Sequence, residues 1–388
     1  MTVKPDARRF NRLTTAIEAV MSDAHGASRP LALLLTGLAG LYGTAMRSRA
    51  RLFQRRRLTS YRLPCKVVSV GNITLGGTGK TPMSIYAARM FHETGRRVAV
   101  VSRGYKGMAE KQGGIVSDGR TLRMPARIAG DEPYLMARHL LPIGVPVLVG
   151  QDRVRSGWQA AKRFGTEVLV LDDGFQHLRL HRDLDIVLLD ARRPFGNGYS
   201  LPRGTLREPL SALSRADVCL LTRCPPKMVE GALPRPTDQK DKPPFNPLER
   251  RVFPAAHNPF LAGLFSSGWS GRDMAGKLVE EVPAAPVFAF AGLARNDSFF
   301  DTLQEMGFDL SGRMTFADHH VYKRDDITAL EANAVRRGAE LMVTTEKDLV
   351  KIDTTWLGRL PLLAVGVHMN LGHYAEAFRR FVCQKLCL

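Results

Sequence analysis

A lysine and a threonine side by side at the end of a glycine-rich loop are equipped to hold a nucleoside triphosphate. Here they are Lys80 and Thr81, in Gly71-Asn72-Ile73-Thr74-Leu75-Gly76-Gly77-Thr78-Gly79-Lys80-Thr81-Pro82. Gly76, Gly77 and Gly79 let backbone N–H groups turn inward around phosphate oxygens, and a helix starting at the loop's end adds partial positive charge. In such a loop the lysine reaches the β- and γ-phosphates and the threonine hydroxyl ligates Mg²⁺. The usual pattern opens with a glycine at the position that Thr74 fills here; the upstream glycine is Gly71.

A carboxylate to accompany the magnesium ion is offered by Val168-Leu169-Val170-Leu171-Asp172-Asp173. An apolar strand ending in an acidic residue is the Walker-B arrangement, which places Asp172 or Asp173 near the metal. Other chemistry-bearing residues stand on glycine-punctuated loops. They include Ser102-Arg103-Gly104-Tyr105-Lys106-Gly107, Ala129-Gly130-Asp131-Glu132-Pro133 and the long stretch from Phe195 to Leu210 with Arg203 and Arg207. Phe316-Ala317-Asp318-His319-His320 suits a metal, a histidine–acid pair, or plain polar surface. Thr345-Glu346-Lys347-Asp348 reads, on its own, as a solvated turn. Asp131 reads, on its own, as the N-cap of the next helix, with Pro133 in its first turn.

These residues need a scaffold. Lys66–Val70 is a β-branched strand leading into the glycine loop, and Met83, Tyr86, Ala87 and Met90 mark one face of the helix after it. Further strands are expected at 97–101, 146–149, 168–172, 186–189 and 218–221, with helices at 134–140 and from Asp152 toward Arg163. Strands alternating with helices imply an α/β fold with a mostly parallel sheet covered on both faces. A second α/β series follows, with strands at 287–291, 341–344 and 362–366 and helices at 298–306 and 325–338. Cys224 to about Asn258 is rich in proline and charge, without helical or strand period, and reads as a linker or insertion.

At 388 residues the chain has room for two domains, and its 44% apolar and 24% charged content is ordinary for a globular protein. Its net charge of +19 is not, and calls for an anionic partner: nucleic acid, anionic lipid or a phosphorylated substrate. The five cysteines lack the spacing of a zinc site or a disulfide framework. Leu31–Met46 is an apolar run, short for a membrane span and containing three glycines. Arginines follow it at 47, 49, 51, 55, 56 and 57. An apolar helix with an arginine cluster suits an anionic membrane surface; a buried core helix with a solvated basic end is the other reading. A single aromatic, Phe53, stands among the arginines, so nucleic acid is the weaker reading of the partner.

In this order the motifs resemble those of the tetraacyldisaccharide 4′-kinase family, the lipid A 4′-kinases. The resemblance rests on the loop Gly71–Pro82, Arg103-Gly104-Tyr105, Gly130-Asp131-Glu132-Pro133 and Asp172–His177. Leu206-Arg207-Glu208-Pro209-Leu210, Asp318-His319-His320 and Thr345-Glu346-Lys347-Asp348 complete it. The family also lacks the first Walker glycine. The likeness runs from about Arg29 to the C-terminus and departs from the pattern at Ala294-Arg295-Asn296-Asp297.

The resemblance implies a P-loop NTPase core with a mostly parallel sheet, a smaller C-terminal α/β lobe and an N-terminal membrane-associated helix. The corresponding division is 1–58 for the tail and membrane helix, 59–224 for the kinase core, 225–258 for the linker and 259–388 for the lobe, whose last helix is allowed to return to the core. It implies ATP and Mg²⁺ as cofactors, a lipid A disaccharide precursor as substrate, and work at the cytoplasmic face of the bacterial inner membrane. Asn72, Thr74, Gly76, Gly77, Thr78, Gly79, Lys80 and Thr81 would hold the nucleotide; Thr81, Asp172, Asp173 and Glu132 would serve the metal. Asp131 would be the general base, paired with His319 and assisted by Lys80 and Asp318. Arg103, Arg153 and Arg207 would contact phosphate or sugar. The alternatives are a membrane-associated P-loop ATPase without lipid kinase activity, and a basic nucleic-acid-binding NTPase.

Overall fold

The computed structural model describes residues 7–23, 28–230, 251–266, 279–293 and 296–388. In chain order the helices and strands are α1 (Ala7–Met21), α2 (Arg29–Gln54), β1 (Lys66–Asn72), α3 (Lys80–Glu93), β2 (Val98–Ser102), β3 (Gly114–Ser117), α4 (Ala126–Ala129) and α5 (Asp131–Leu140). Then come β4 (Val147–Val149), α6 (Arg153–Phe164), β5 (Val168–Asp172), β6 (Leu184–Asp190), β7 (Val218–Thr222), α7 (Pro226–Glu230), β8 (Arg251–Pro254) and β9 (Ala256–Phe265). The chain finishes with β10 (Val287–Ala291), α8 (Asp297–Glu305), β11 (Leu310–Thr315), α9 (Arg324–Arg336), β12 (Leu341–Thr345), α10 (Glu346–Leu349), β13 (Leu362–Asn370) and α11 (Ala375–Leu386).

Two compact units result, each assembled from separate stretches. One comprises Met1–Lys80, Asp173–Ala256 and Leu371–Leu388; the other comprises Thr81–Asp172 and His257–Asn370.

In the first unit β1, β6, β7 and β8 are parallel neighbours in that order. All seven residues of β6 and six of seven in β1 are buried, as expected of strands covered on both faces. Ile73, Phe175, Val187, Leu189, Leu206, Leu213 and Cys219 form an apolar cluster beneath the glycine loop. Gly71 belongs to this packing. A Cβ there would lie 2.6 Å from Phe175 Cβ and 2.9 Å from its backbone nitrogen. The upstream glycine is therefore required by a close approach between β1 and the turn after β5. On β8, Phe253 meets Phe378 of α11 edge to face at 5.5 Å.

Helix α2 is longer than the apolar run. It continues through Arg47, Arg49 and Arg51, so the leucines and the first arginines share one helix of 26 residues, about 39 Å long. Only Leu35, Ala39 and Gly43, spaced four apart, are buried. Leu33 and Leu41 are 74% and 71% exposed, and Leu34 and Leu38 are exposed as well. The buried-core reading is thus corrected: one stripe packs inward and the leucine face is left bare. The Tyr42 hydroxyl donates to Arg207 O at 2.8 Å, fixing the helix to the loop after β6. The tail before it holds α1, whose end is tied by Arg203 to Val20 O and to the Asp23 carboxylate, both at 2.6 Å. No helix among the described residues is long and apolar enough to cross a membrane.

In the second unit β2 lies between β4 and β5, parallel to both, and β3 runs antiparallel to β4. A five-stranded sheet has the order β11-β10-β12-β13-β9, with β10, β11, β12 and β13 joined by parallel pairings. Its two faces carry separate apolar clusters, one around Phe288, Phe290, Tyr322 and Leu330, the other around Phe299, Phe300, Leu303 and Val343. The α/β class and mostly parallel pairing follow the sequence reading. Of 225–258, residues 231–250 lie outside the described residues. Helix α7 and the strands β8 and β9 correct the expectation that the rest has no regular element. Ala294 and Arg295, where the family pattern is left, are also outside the described residues.

Candidate functional site

The glycine loop of the first unit is held by its carbonyls and its ends. The Thr222 hydroxyl donates to Thr78 O at 2.9 Å, and Arg223 donates to Gly77 O at 2.8 Å while pairing with Asp190. Asn72 Nδ2 donates to Thr78 Oγ1 at 2.9 Å, and the Leu75 amide donates to Thr205 O. Gly76 and Gly79 have φ of 105° and 88°, values that favour glycine. With the carbonyls occupied on one side, the amides of Gly76, Gly77, Thr78, Gly79 and Lys80 engage no acceptor among the described residues. Such a set of backbone donors at a helix start fits phosphate oxygens. The Lys80 ammonium lies 3.8 Å from Asp173, which also takes two bonds from Arg207, at 2.9 and 3.0 Å. Asp173 itself has a φ of 48°, so this acidic turn is bent backward at a non-glycine residue. Thr74 is buried, bridged to Leu206.

In the second unit Thr81 lies in the first turn of α3, half-buried. Asp172, almost fully buried, accepts from the hydroxyls of Ser84 and Ser102, each at 2.9 Å. Hydroxyl and carboxylate oxygens are hard donors of the kind Mg²⁺ takes. Among the described residues no group of three or more His, Cys, Asp or Glu side chains is arranged to hold a metal.

The same unit brings Asp131 and His319 together, although 188 residues separate them. His319 Nδ1 lies 3.1 Å from Asp131 Oδ2. Asp131 is the first residue of α5, and the cap is Gly130, with a φ of 93°. The N-cap reading is therefore corrected: the carboxylate faces the histidine. Lys351 Nζ approaches the same oxygen at 4.0 Å, so both contacts fall on Oδ2. Asp131 Oδ1 has no hydrogen-bond partner among the described residues. Tyr105 packs edge-on against the His319 ring at 5.6 Å. Asp318 Oδ2 stands 3.7 Å from His319 Nε2, too far for a hydrogen bond; its other oxygen meets Lys347 at 3.3 Å. Glu132 pairs with Lys347 at 3.4 Å.

The Thr345-Glu346-Lys347-Asp348 stretch is far from a solvated turn. Thr345 caps α10, and the Asp348 carboxylate is fully buried. It accepts from the Gly292 amide, the Thr345 hydroxyl and, at 2.7 Å, Lys351 Nζ. Burial opposes the charge on Lys347, but Glu132, Asp318 and Asp131 together outweigh it and hold its ammonium above the ordinary lysine value. At the other end of α5, His139 Nε2 meets Glu346 at 3.1 Å. Lys347, Asp348 and Lys351 were not among the residues expected to act. The signals for Lys347 and Asp348 are the family-like motif they belong to and its place at a strand end, and neither tells a buried stretch from an exposed turn until burial is known.

The expected substrate arginines diverge. Arg207 bonds Asp173 beside Lys80. Arg103 pairs with Glu110 at 2.6 Å and lies near the Tyr105 ring. Arg153 is buried at the start of α6 and donates to Gln151 O.

Comparison with known proteins converges on one family. The model described as tetraacyldisaccharide-1-P 4′-kinase matches residues 31–387. The tetraacyldisaccharide 4′-kinase of Desulfatibacillum aliphaticivorans is 41% identical over 381 residues, covering 97% of this chain and 99% of that protein. That of Syntrophus aciditrophicus is 40% identical over 344 residues, covering 88% and 90%. Among solved structures, "apo" form LpxK from Aquifex aeolicus, crystallised in complex with ATP, aligns with a TM-score of 0.70 at 31% identity, covering 92% of this chain and 99% of that one. With a glycine loop whose amides are open, a buried acidic strand end and a histidine–carboxylate pair in place, this chain belongs to the tetraacyldisaccharide 4′-kinase family.

Proposed function

We propose that this chain transfers the γ-phosphate of ATP to the 4′-hydroxyl of a tetraacylated glucosamine disaccharide 1-phosphate, with Asp131 as general base. The Asp131–His319 hydrogen bond carries the reading. It fixes one carboxylate oxygen and leaves Oδ1 to accept the hydroxyl proton as the sugar oxygen attacks phosphorus. The bond from the γ-phosphorus to its bridging oxygen breaks, and ADP leaves. His319 donates from Nδ1 and holds the carboxylate in orientation; Asp318 supports it from the neighbouring position.

Phosphoryl transfer depends on positioning and charge neutralisation more than on covalent chemistry. The loop amides and Lys80 are assigned to the β- and γ-phosphates. When bound with the nucleotide, Mg²⁺ would supply neutralisation of the phosphate charge. Thr81 is assigned to hold it, with Asp172 and Asp173 serving it directly or through its water; Glu132 is the outlying candidate. Arg103, Arg153 and Arg207 are assigned to substrate phosphate or sugar, with Arg207 placed first because it is tied to Asp173. In this scheme 59–224 is the kinase core and 259–388 is the lobe that supplies His319.

The test is mass spectrometry of the lipid precursor incubated with enzyme, ATP and Mg²⁺. A product heavier by one phosphate, with one ADP formed per product, supports the kinase. ATP hydrolysis at the same rate without the lipid would favour the bare ATPase instead.

The bare leucine face of α2 and the arginines on the same helix support docking on the anionic cytoplasmic surface of the inner membrane. Each leucine taken out of water contributes about 1.5–3 kcal/mol. The double change Leu34→Glu and Leu41→Glu is therefore expected to lower partition onto anionic vesicles by about tenfold or more. ATP binding should be unchanged. Equal sedimentation with vesicles for both proteins would remove α2 as the anchor. The same net charge of +19 serves the membrane in this reading, so nucleic acid should neither bind at physiological salt nor stimulate hydrolysis.

A further inference from the structure

We infer that Lys347 is a positioning residue, a two-armed tie that sets the register of the Asp131–His319 pair by holding the residue next to each of its members. The inference rests on the proposed base function of that pair. One arm reaches Glu132, which follows Asp131 in the first turn of α5; the other reaches Asp318, which precedes His319. The ammonium lies at 3.4 and 3.3 Å from these two carboxylates, which come from two distant stretches of chain.

The need for such a tie is visible at His319. Its φ is 62°, in the left-handed region. A non-glycine residue held there costs on the order of 1–3 kcal/mol and persists only where the surroundings over-determine it. Both neighbours of His319 are anchored. His320 Nε2 meets Asp326 at 3.0 Å and its ring stacks on Phe316 at 4.6 Å. Asp318 has Lys347 as its anchor. Without Lys347, the strained residue keeps one anchor of two.

Charge strengthens the case. The Lys347 ammonium is the contact shared by the Glu132 and Asp318 carboxylates, at 3.4 and 3.3 Å. Removal of that cation leaves the Glu132 and Asp318 carboxylates without their shared counter-charge, and their repulsion drives the Asp318–His319 segment away from α5. Lys351 does not replace it. Its ammonium bonds the fully buried Asp348 at 2.7 Å and reaches Asp131, with no contact to Glu132 or Asp318 among the described residues. A general base displaced by about 1 Å loses on the order of 10²-fold in rate.

The experiment compares Lys347→Met, Lys347→Arg and Asp131→Asn in the full chain, with ¹⁵N-histidine labelling. Lys347→Met is expected to lower kcat by about 10- to 100-fold with the KM for ATP unchanged. The His319 ring resonances should shift in Lys347→Met, and Lys347→Arg should restore part of both kcat and the spectrum. Unshifted His319 resonances, kcat within twofold of the unmodified enzyme, or a rise in the ATP KM matching the loss would each overturn the inference. If Lys347→Met folds poorly, the cycle of Glu132→Gln and Asp318→Asn decides. Losses that exceed either single change yet fall short of their product support the shared tie, and independent losses overturn it. Failure of the base assignment is separate: it appears as retained turnover in Asp131→Asn while His319 still responds to Lys347→Met.

Discussion

Asparagine in place of Asp131 is expected to lower kcat by about 10³-fold, within the range that a positioned proton acceptor contributes. The change keeps the size of the side chain and a carbonyl oxygen to accept from His319 Nδ1, so the geometry at Oδ2 is preserved. What is lost is the basicity at Oδ1. His319→Ala should cost less, about 10- to 100-fold, because the carboxylate remains and only its orientation loosens. Lys351, 4.0 Å from Asp131, still holds a charge on one side of it. Steady-state turnover of labelled ATP against the lipid acceptor measures both changes. The melting temperature of each variant, measured alongside turnover, separates loss of rate from loss of fold, since both side chains are largely buried in their pair. An Asp131→Asn enzyme with more than a tenth of normal kcat would remove Asp131 from the base assignment, and with it the reason for a histidine at that distance.

The second large effect is expected at Lys80. Lys80→Met should lower kcat/KM for ATP by about 10²–10³-fold, the loss typical when one preorganised donor is taken from developing negative charge. The loop should survive, because the ties to Thr222, Arg223 and Thr205 do not involve the Lys80 side chain. Lys80→Arg should recover little. A guanidinium is planar and larger, while the loop offers a point charge on a flexible stem. Asp173 keeps Arg207 as a partner at 2.9 Å, so the acidic turn should remain folded in either variant. Nucleotide affinity measured by calorimetry alongside turnover separates ground-state binding from rate. Full ATP-dependent phosphorylation by Lys80→Met would show that the phosphates are held elsewhere.

The two assignments draw on different kinds of information. Lys80 stands within one uninterrupted loop whose residues neighbour each other in sequence. Local backbone rules suffice there: glycines for positive φ, a helix start for its amides, a β-branched strand before it. The alternation of strands with helices is equally local, which is why β1, β2, β5, β6 and β7 lie within a residue or two of the expected positions. The misses fall where local rules carry no information. Strand β9 begins beside a proline-rich stretch, and β11 mixes half-buried with exposed residues, so neither shows a clean period of two.

For Asp131 and His319 the sequence supplied residue types and, through likeness to a family, a pairing; it could not supply the 3.1 Å between them. Gly71 was legible as an irregular glycine, and its cause appears only with Phe175 packed against it. Lys347 and Asp348 read as turn residues because charge in sequence usually means exposure. Folding instead buried Asp348 among three donors and set Lys347 between carboxylates that lie 215 and 29 residues away along the chain. Chain chemistry alone determined the phosphate loop, the parallel α/β architecture and the basic apolar helix, since each depends on neighbours a few residues apart. Tertiary structure decided which charges face one another, because burial and long-range pairing are properties of the packed chain and are written in no single stretch of it.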